Sequence, residues 1–167
     1  MSATASTLAA PPEAVALRLH PRRTLIPLEF FGILHGVKLD DALDLVDDFK
    51  LRPAFNLATS VDGRRKIHLW RGCIEGYEPG RKMPRGKLAD IIAGILPPLE
   101  GKPVASVTVH GSELTFRFCC CHKRIADLLS AGELCEVGSH NPISQTPRIS
   151  YASAAKFLES RVICRSS

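Results

Sequence analysis

The side chains with the greatest capacity for chemistry gather in one stretch, Cys119-Cys120-Cys121-His122-Lys123-Arg124, with Cys135 and His140 following. Thiols beside an imidazole suggest zinc, but a zinc site draws on ligands spaced so that they converge on one point. Adjacent cysteines diverge, and the chain contains no Cys-x-x-Cys pair. No metal or other cofactor is expected. Lys123 and Arg124 suit another task, because a guanidinium can bond two guanine acceptors at once and an ammonium can neutralise a phosphate. A second basic run is Arg64-Arg65-Lys66, and opposed to both stands an acidic set, Asp40, Asp41, Asp44, Asp47 and Asp48. No phosphate loop, serine-nucleophile motif or zincin helix occurs, so catalysis is not expected.

The elements that must carry these residues form a pattern that returns after about 83 residues. A helical run leads through a Lys-Leu or Glu-Leu step into a strand, a turn, and a second strand that enters a helix. The copies are Leu39 to Tyr77 and His122 to Ser160. Such self-similarity implies two small modules of one type.

In the first copy, a short helix from Pro27 stops at His35-Gly36. Leu39, Ala42, Leu43 and Val46 then form an apolar stripe whose opposite side is aspartate. Leu51 to Leu57 reads as a strand, Ser60 to Gly63 as a turn, Arg65 to Leu69 as the return, and Trp70 to Tyr77 as a closing helix. Pro79, Gly80, Pro84 and Gly86 mark a linker, followed by a helix from Lys87 to Leu96. In the second copy, helices are predicted over 112–118, 122–131 and 152–160. A strand is expected over 134–137, a loop over 139–147 and a short return at Arg148-Ile149. The stretch 106–118 fits a β-hairpin equally, because it alternates around His110-Gly111.

Arg124-Ile125, Leu128-Leu129, Gly132-Glu133-Leu134, Val137-Gly138, Arg148-Ile149-Ser150 and Phe157-Leu158-Glu159 together resemble the winged helix-turn-helix of the excisionase and MerR-like families. The resemblance covers about a third of the chain, from Val109 to Arg161. The first copy resembles a diverged sister, with Phe49 where the second has Gly132. The implied fold class is α+β, mostly helical, with two tandem winged helix-turn-helix domains bearing small two-stranded wings. It also implies binding to double-stranded DNA, the second helix lying in the major groove. His122, Lys123 and Arg124 would then meet bases. His140, Asn141, Gln145 and Arg148 would support the wing, and Arg64, Arg65 and Lys66 would add backbone contacts. The family's members direct recombinases or act as repressors.

The first copy's acidic helix should not enter a groove, where it would meet phosphate charge. It would face away from DNA, bind a basic protein surface such as that of a recombinase, or imitate the charge of DNA. A protein-binding scaffold using Asp40, Asp41, Asp44, Asp47 and Asp48 is therefore the alternative function.

The expected organisation is a disordered arm (1–23), a first domain (24–78), a linker with one helix (79–108), a second domain (109–162) and a tail (163–167). An Arg-bearing transit peptide is the other reading of the arm. The net charge of +5 favours an anionic partner only weakly. Residues 24–77 carry seven basic and eight acidic side chains, so the first copy is the acidic one. Six cysteines without a spaced framework suggest a reducing, cytoplasmic setting, and the DNA binding that the resemblance implies would make the protein nucleoid-associated. No apolar run is long enough to span a membrane, and self-association is possible for so small a module.

Overall fold

The computed structural model describes residues 20–59, 65–81, 86–138 and 146–163. The first unit contains β1 (Leu25–Pro27), α1 (Leu28–His35), α2 (Leu39–Asp47), β2 (Ala54–Asn56), β3 (Ile67–Trp70) and α3 (Arg71–Glu75). After α4 (Leu88–Ile95) and a 3-10 turn (Val104–Ser106), the second contains β4 (Thr108–His110), α5 (Gly111–Arg117), α6 (His122–Ser130), β5 (Arg148–Ser150) and α7 (Tyr151–Arg161). The architecture is α+β and mostly helical, with small antiparallel sheets ordered β1-β3-β2 and β4-β5.

Backbone bonds repeat between the units. Leu25, Ile26 and Pro27 oppose Trp70, Leu69 and His68, and Thr108, Val109 and His110 oppose Ser150, Ile149 and Arg148 in the same way. The turn between paired helices closes alike, Val37 N–H donating to the Gly32 carbonyl and Cys120 N–H to that of Thr115. Each helix of a pair ends on a left-handed residue. That residue is Gly36 or Cys119 after the first helix, and Phe49 or Gly132 after the second, so glycine stands in only one unit at each position. Lys50 and Glu133 N–H then bond back to Leu45 and Leu128, satisfying carbonyls that the helix end would otherwise leave open.

β1 has no counterpart in the predicted elements, since three residues are too few to show a period. The hairpin alternative for 106–118 does not occur. Gly111 opens α5 instead of a turn, its N–H bonded to the Pro147 carbonyl, and a Cβ there would come within 3.1 Å of the Pro147 ring. The strand expected over 134–137 is reduced to a single bridge, Glu136 with Ile149. Trp70 ends β3 instead of opening the closing helix. Its ring lies across Gly72, where a Cβ would be 2.6 Å away. Leu39, expected on the buried stripe, is 40% exposed, because a side chain at the first helical position leans back over the preceding turn.

The three-stranded sheet separates two cores by strand alternation. Ile26, Ala54, Ile67 and Leu69 face Phe31, Ala42 and Val46, whereas Leu25, Phe55 and Leu57 join the core of Ile95, Leu114, Phe118, Ile125, Leu128 and Phe157. α4, within the stretch expected as linker, buries Ile91, Ile92 and Ile95 in that second core. The units are tied further by Thr24, whose N–H donates to Arg117 O and whose Oγ1 donates to Ile95 O at 2.8 Å. At the other end, Val162 bridges Phe55 and Ile163 N–H donates to Ala54 O. Part of the expected arm is docked, with His20 against the Phe116 ring at 5.4 Å and Arg22 paired with Glu113. Residues 1–19 and 164–167 lie outside the described residues. No helix among the described residues is long and apolar enough to cross a membrane.

Candidate nucleic-acid interface

α6 is nine residues long, and its buried stripe is Ile125 and Leu128. Helical geometry therefore turns His122 and Lys123 outward, and both are exposed, while Arg124 is half-buried at the margin. These three residues occupy the first turn, whose leading N–H groups have no intrahelical acceptor. Cys121 precedes them as N-cap without a side-chain bond to the helix, so the positive end of the helix dipole and the basic side chains coincide.

The Arg124 charge is also felt within the fold. It acts on Cys120 and, across the junction, on His68 of β3. His68 is buried, and its Nδ1 lies 3.1 Å from the Lys66 carbonyl oxygen. Burial holds this imidazole below its ordinary range. Burial also pushes Cys120 up to about 12 and Cys73 up to about 11, which keeps both as thiols at neutral pH. Such a thiol packs as a small apolar residue, and half-buried Cys120 fills the place of half-buried Val37 in the first unit. Among the described residues no group of three His, Cys, Asp or Glu could hold a metal ion.

Arg148 is exposed on β5, opposite exposed His110 on β4. β4 runs directly into α5, on which α6 packs, so one continuous scaffold carries the α6 turn and Arg148. His110 is a polar neighbour that sequence reasoning missed, because its strand was ambiguous. His140, Asn141 and Gln145, expected to support a wing, lie outside the described residues, as does Arg64. Arg65 and Lys66 are exposed on the other unit. Arg65 forks onto Asp47 with contacts of 2.9 and 3.2 Å, and the Lys66 N–H is held by Asn56 Oδ1.

No protein-family model, curated protein or solved structure matches this chain. Its two units are thus the comparison available, and α2 stands where α6 stands. Leu39, Asp40 and Asp41 occupy the positions of His122, Lys123 and Arg124. Asp40, Asp41, Asp44, Asp47 and Asp48 are all exposed. Asp47 and Asp48 are paired with Arg65 and Lys50. Asp40, Asp41 and Asp44 have no ion-pair partner among the described residues.

Proposed function

We propose that the chain consists of tandem winged helix-turn-helix units and binds double-stranded DNA, the second unit reading sequence in a regulatory or recombination-directing role. The observation that carries this reading is the first turn of α6, where exposed His122 and Lys123 adjoin half-buried Arg124 on a helix that follows a tight turn. Such a turn can enter a major groove, with Arg124 and Lys123 as base or phosphate contacts. Arg148, at the root of the wing segment, adds a cation on the same scaffold. The wing residues His140, Asn141 and Gln145 belong to this proposal through the family resemblance alone. Arg64, Arg65 and Lys66 would supply phosphate contacts from the first unit, with Arg65 exchanging Asp47 for phosphate.

The test is selection from a pool of random duplexes at two salt concentrations. An enriched site, with affinity falling steeply as salt rises, supports the reading. Weak binding with no enriched site contradicts it.

A second reading, a protein-binding scaffold, draws on α2. Its exposed aspartates border an exposed leucine, Leu39, a combination suited to a basic partner such as a recombinase surface. Binding to a basic protein that is lost on Asp40→Lys/Asp44→Lys, while DNA affinity is unchanged, would favour it.

A further inference from the structure

α1 is apolar on two opposite sides. Leu28 and Phe31 are buried in the first core, while half-buried Phe30, three residues before Ile33 and four before Leu34, forms with them a second stripe on the outer side. A helix apolar on both sides is ordinarily buried on both. Here Ile33 is 62% and Leu34 38% exposed. The turn that follows is closed by the bond of Val37 N–H to the Gly32 carbonyl, and it leads directly to exposed Leu39. Three of the six exposed large apolar side chains among the described residues thus fall between positions 33 and 39.

Packing does not require this stripe. Counting back from Gly36 and Cys119, the second unit has Glu113 and Arg117 in place of Phe30 and Leu34, and these pair with each other at 2.8 Å. Phe116, in place of Ile33, has the His20 ring against it at 5.4 Å. The same helix pair therefore folds with an ion pair where the first unit keeps phenylalanine and leucine. Charge around the stripe is one-sided, since the chain from Leu28 to Asp48 has six acidic residues and one lysine. Glu29 lies one turn before Ile33, Asp40 and Asp41 follow Leu39, and Asp44 lies one turn beyond Asp40, all of them exposed. Such a border repels an anionic membrane surface or a nucleic acid and attracts cations.

We propose that this face, made by Phe30, Ile33, Leu34 and Leu39, is the docking site for a basic amphipathic helix of a partner protein. The inference rests on the protein-binding reading of α2 and gives the partner a shape. Apolar anchors at helical spacing lie along the α1 stripe. Lysines or arginines beside them meet Asp40, Asp41 and Asp44, which are not engaged as Asp47 and Asp48 are by Arg65 and Lys50.

The probe is a peptide of about 18 residues made of leucine and lysine, with its leucines at helical spacing, and an isomer of scrambled order is the control. Both are titrated into the isotope-labelled full chain, without DNA, and followed by nuclear magnetic resonance. Amide shifts over residues 29–44 are expected to move and saturate with the helical peptide, and the isomer to bind about tenfold more weakly or less. Ile33→Ser and Leu34→Ser, at exposed positions and checked for folding by circular dichroism, are each expected to weaken binding about tenfold. Asp40→Lys/Asp44→Lys is expected to weaken it as much and to remove its salt dependence. If the lysine variant loses binding and the serine variants do not, the acidic reading of α2 stands and the apolar site is refuted. If none of them loses it, both fail. No saturation up to about 1 mM peptide, equal binding of the isomer, or binding to phosphatidylcholine vesicles that Ile33→Ser abolishes would also overturn the proposal. So would a free chain in which Ile33→Ser dissociates a second copy or shifts the amides of residues 1–19, since either would be the occupant instead.

Discussion

α2 and α6 have the same length, follow the same kind of turn and are each followed by a left-handed residue at the matching position, Phe49 or Gly132, yet their outward first turns carry opposite charge. Their shared backbone depends on the buried pairs, Ala42 with Val46 and Ile125 with Leu128. None of the five aspartates takes part in that packing, and neither does Lys123. Because the outward face is not constrained by the core, one helix-pair scaffold can present a cationic surface in one unit and an anionic one in the other.

The comparison breaks most severely where the units stop being separable. Phe55 belongs by sequence to the first unit and by packing to the second core. Phe55→Ala is expected to cost about 3–5 kcal/mol. In urea, fluorescence of Trp70, the single tryptophan, and far-ultraviolet circular dichroism should still move together. Two separated transitions would show that the units fold independently.

Next in size is an interaction that only the second unit has. Arg161 is buried, pairs with Glu133 and lies over the Phe157 ring. Glu133→Ala would strand that guanidinium and is expected to cost about 3 kcal/mol in urea unfolding. The equivalent first-unit residue, Lys50, makes only an exposed pair with Asp48, and Lys50→Ala should leave the midpoint unmoved.

A smaller effect comes from the helix ends. Gly36 and Gly132 have open space around a hypothetical Cβ but positive φ. Alanine at either is expected to cost about 1 kcal/mol through backbone strain alone. Cys119→Gly, the reverse exchange at the matching position, should raise the thermal midpoint.

The smallest effect concerns pH. His68 is held below the ordinary imidazole value of 6.5 by burial. The unfolded chain therefore binds a proton below about pH 6.5 that the folded chain refuses, and stability falls as pH drops through that region. His68→Gln should flatten this part of the stability profile. Exposed Arg148, at the equivalent position, contributes nothing similar.

The helices were legible because their apolar residues recur at helical spacing, and the charge inversion could be read directly from Asp40-Asp41 and Lys123-Arg124. β1 was not legible, because three residues carry no period. Residues 106–118 were ambiguous because Leu114-Thr115-Phe116-Arg117-Phe118 alternates like a strand while also fitting one helical face. The junction was hidden for a different reason. Leu25, Phe55 and Leu57 are ordinary strand residues, and only the sheet's placement between two cores shows which neighbour each one faces. The pairing of Arg65 with Asp47 spans 18 residues and leaves no local sign, so Arg65 read as a free cation.

The account rests on α6 as the reader of bases, and the most direct measurement is duplex binding by the Lys123→Glu/Arg124→Glu variant, with Asp40→Lys/Asp41→Lys as the matched change on α2. The prediction is that the α6 variant loses the enriched site and about tenfold or more in affinity, while the α2 variant keeps its sequence preference. Equal site selection by wild type and the α6 variant would contradict it.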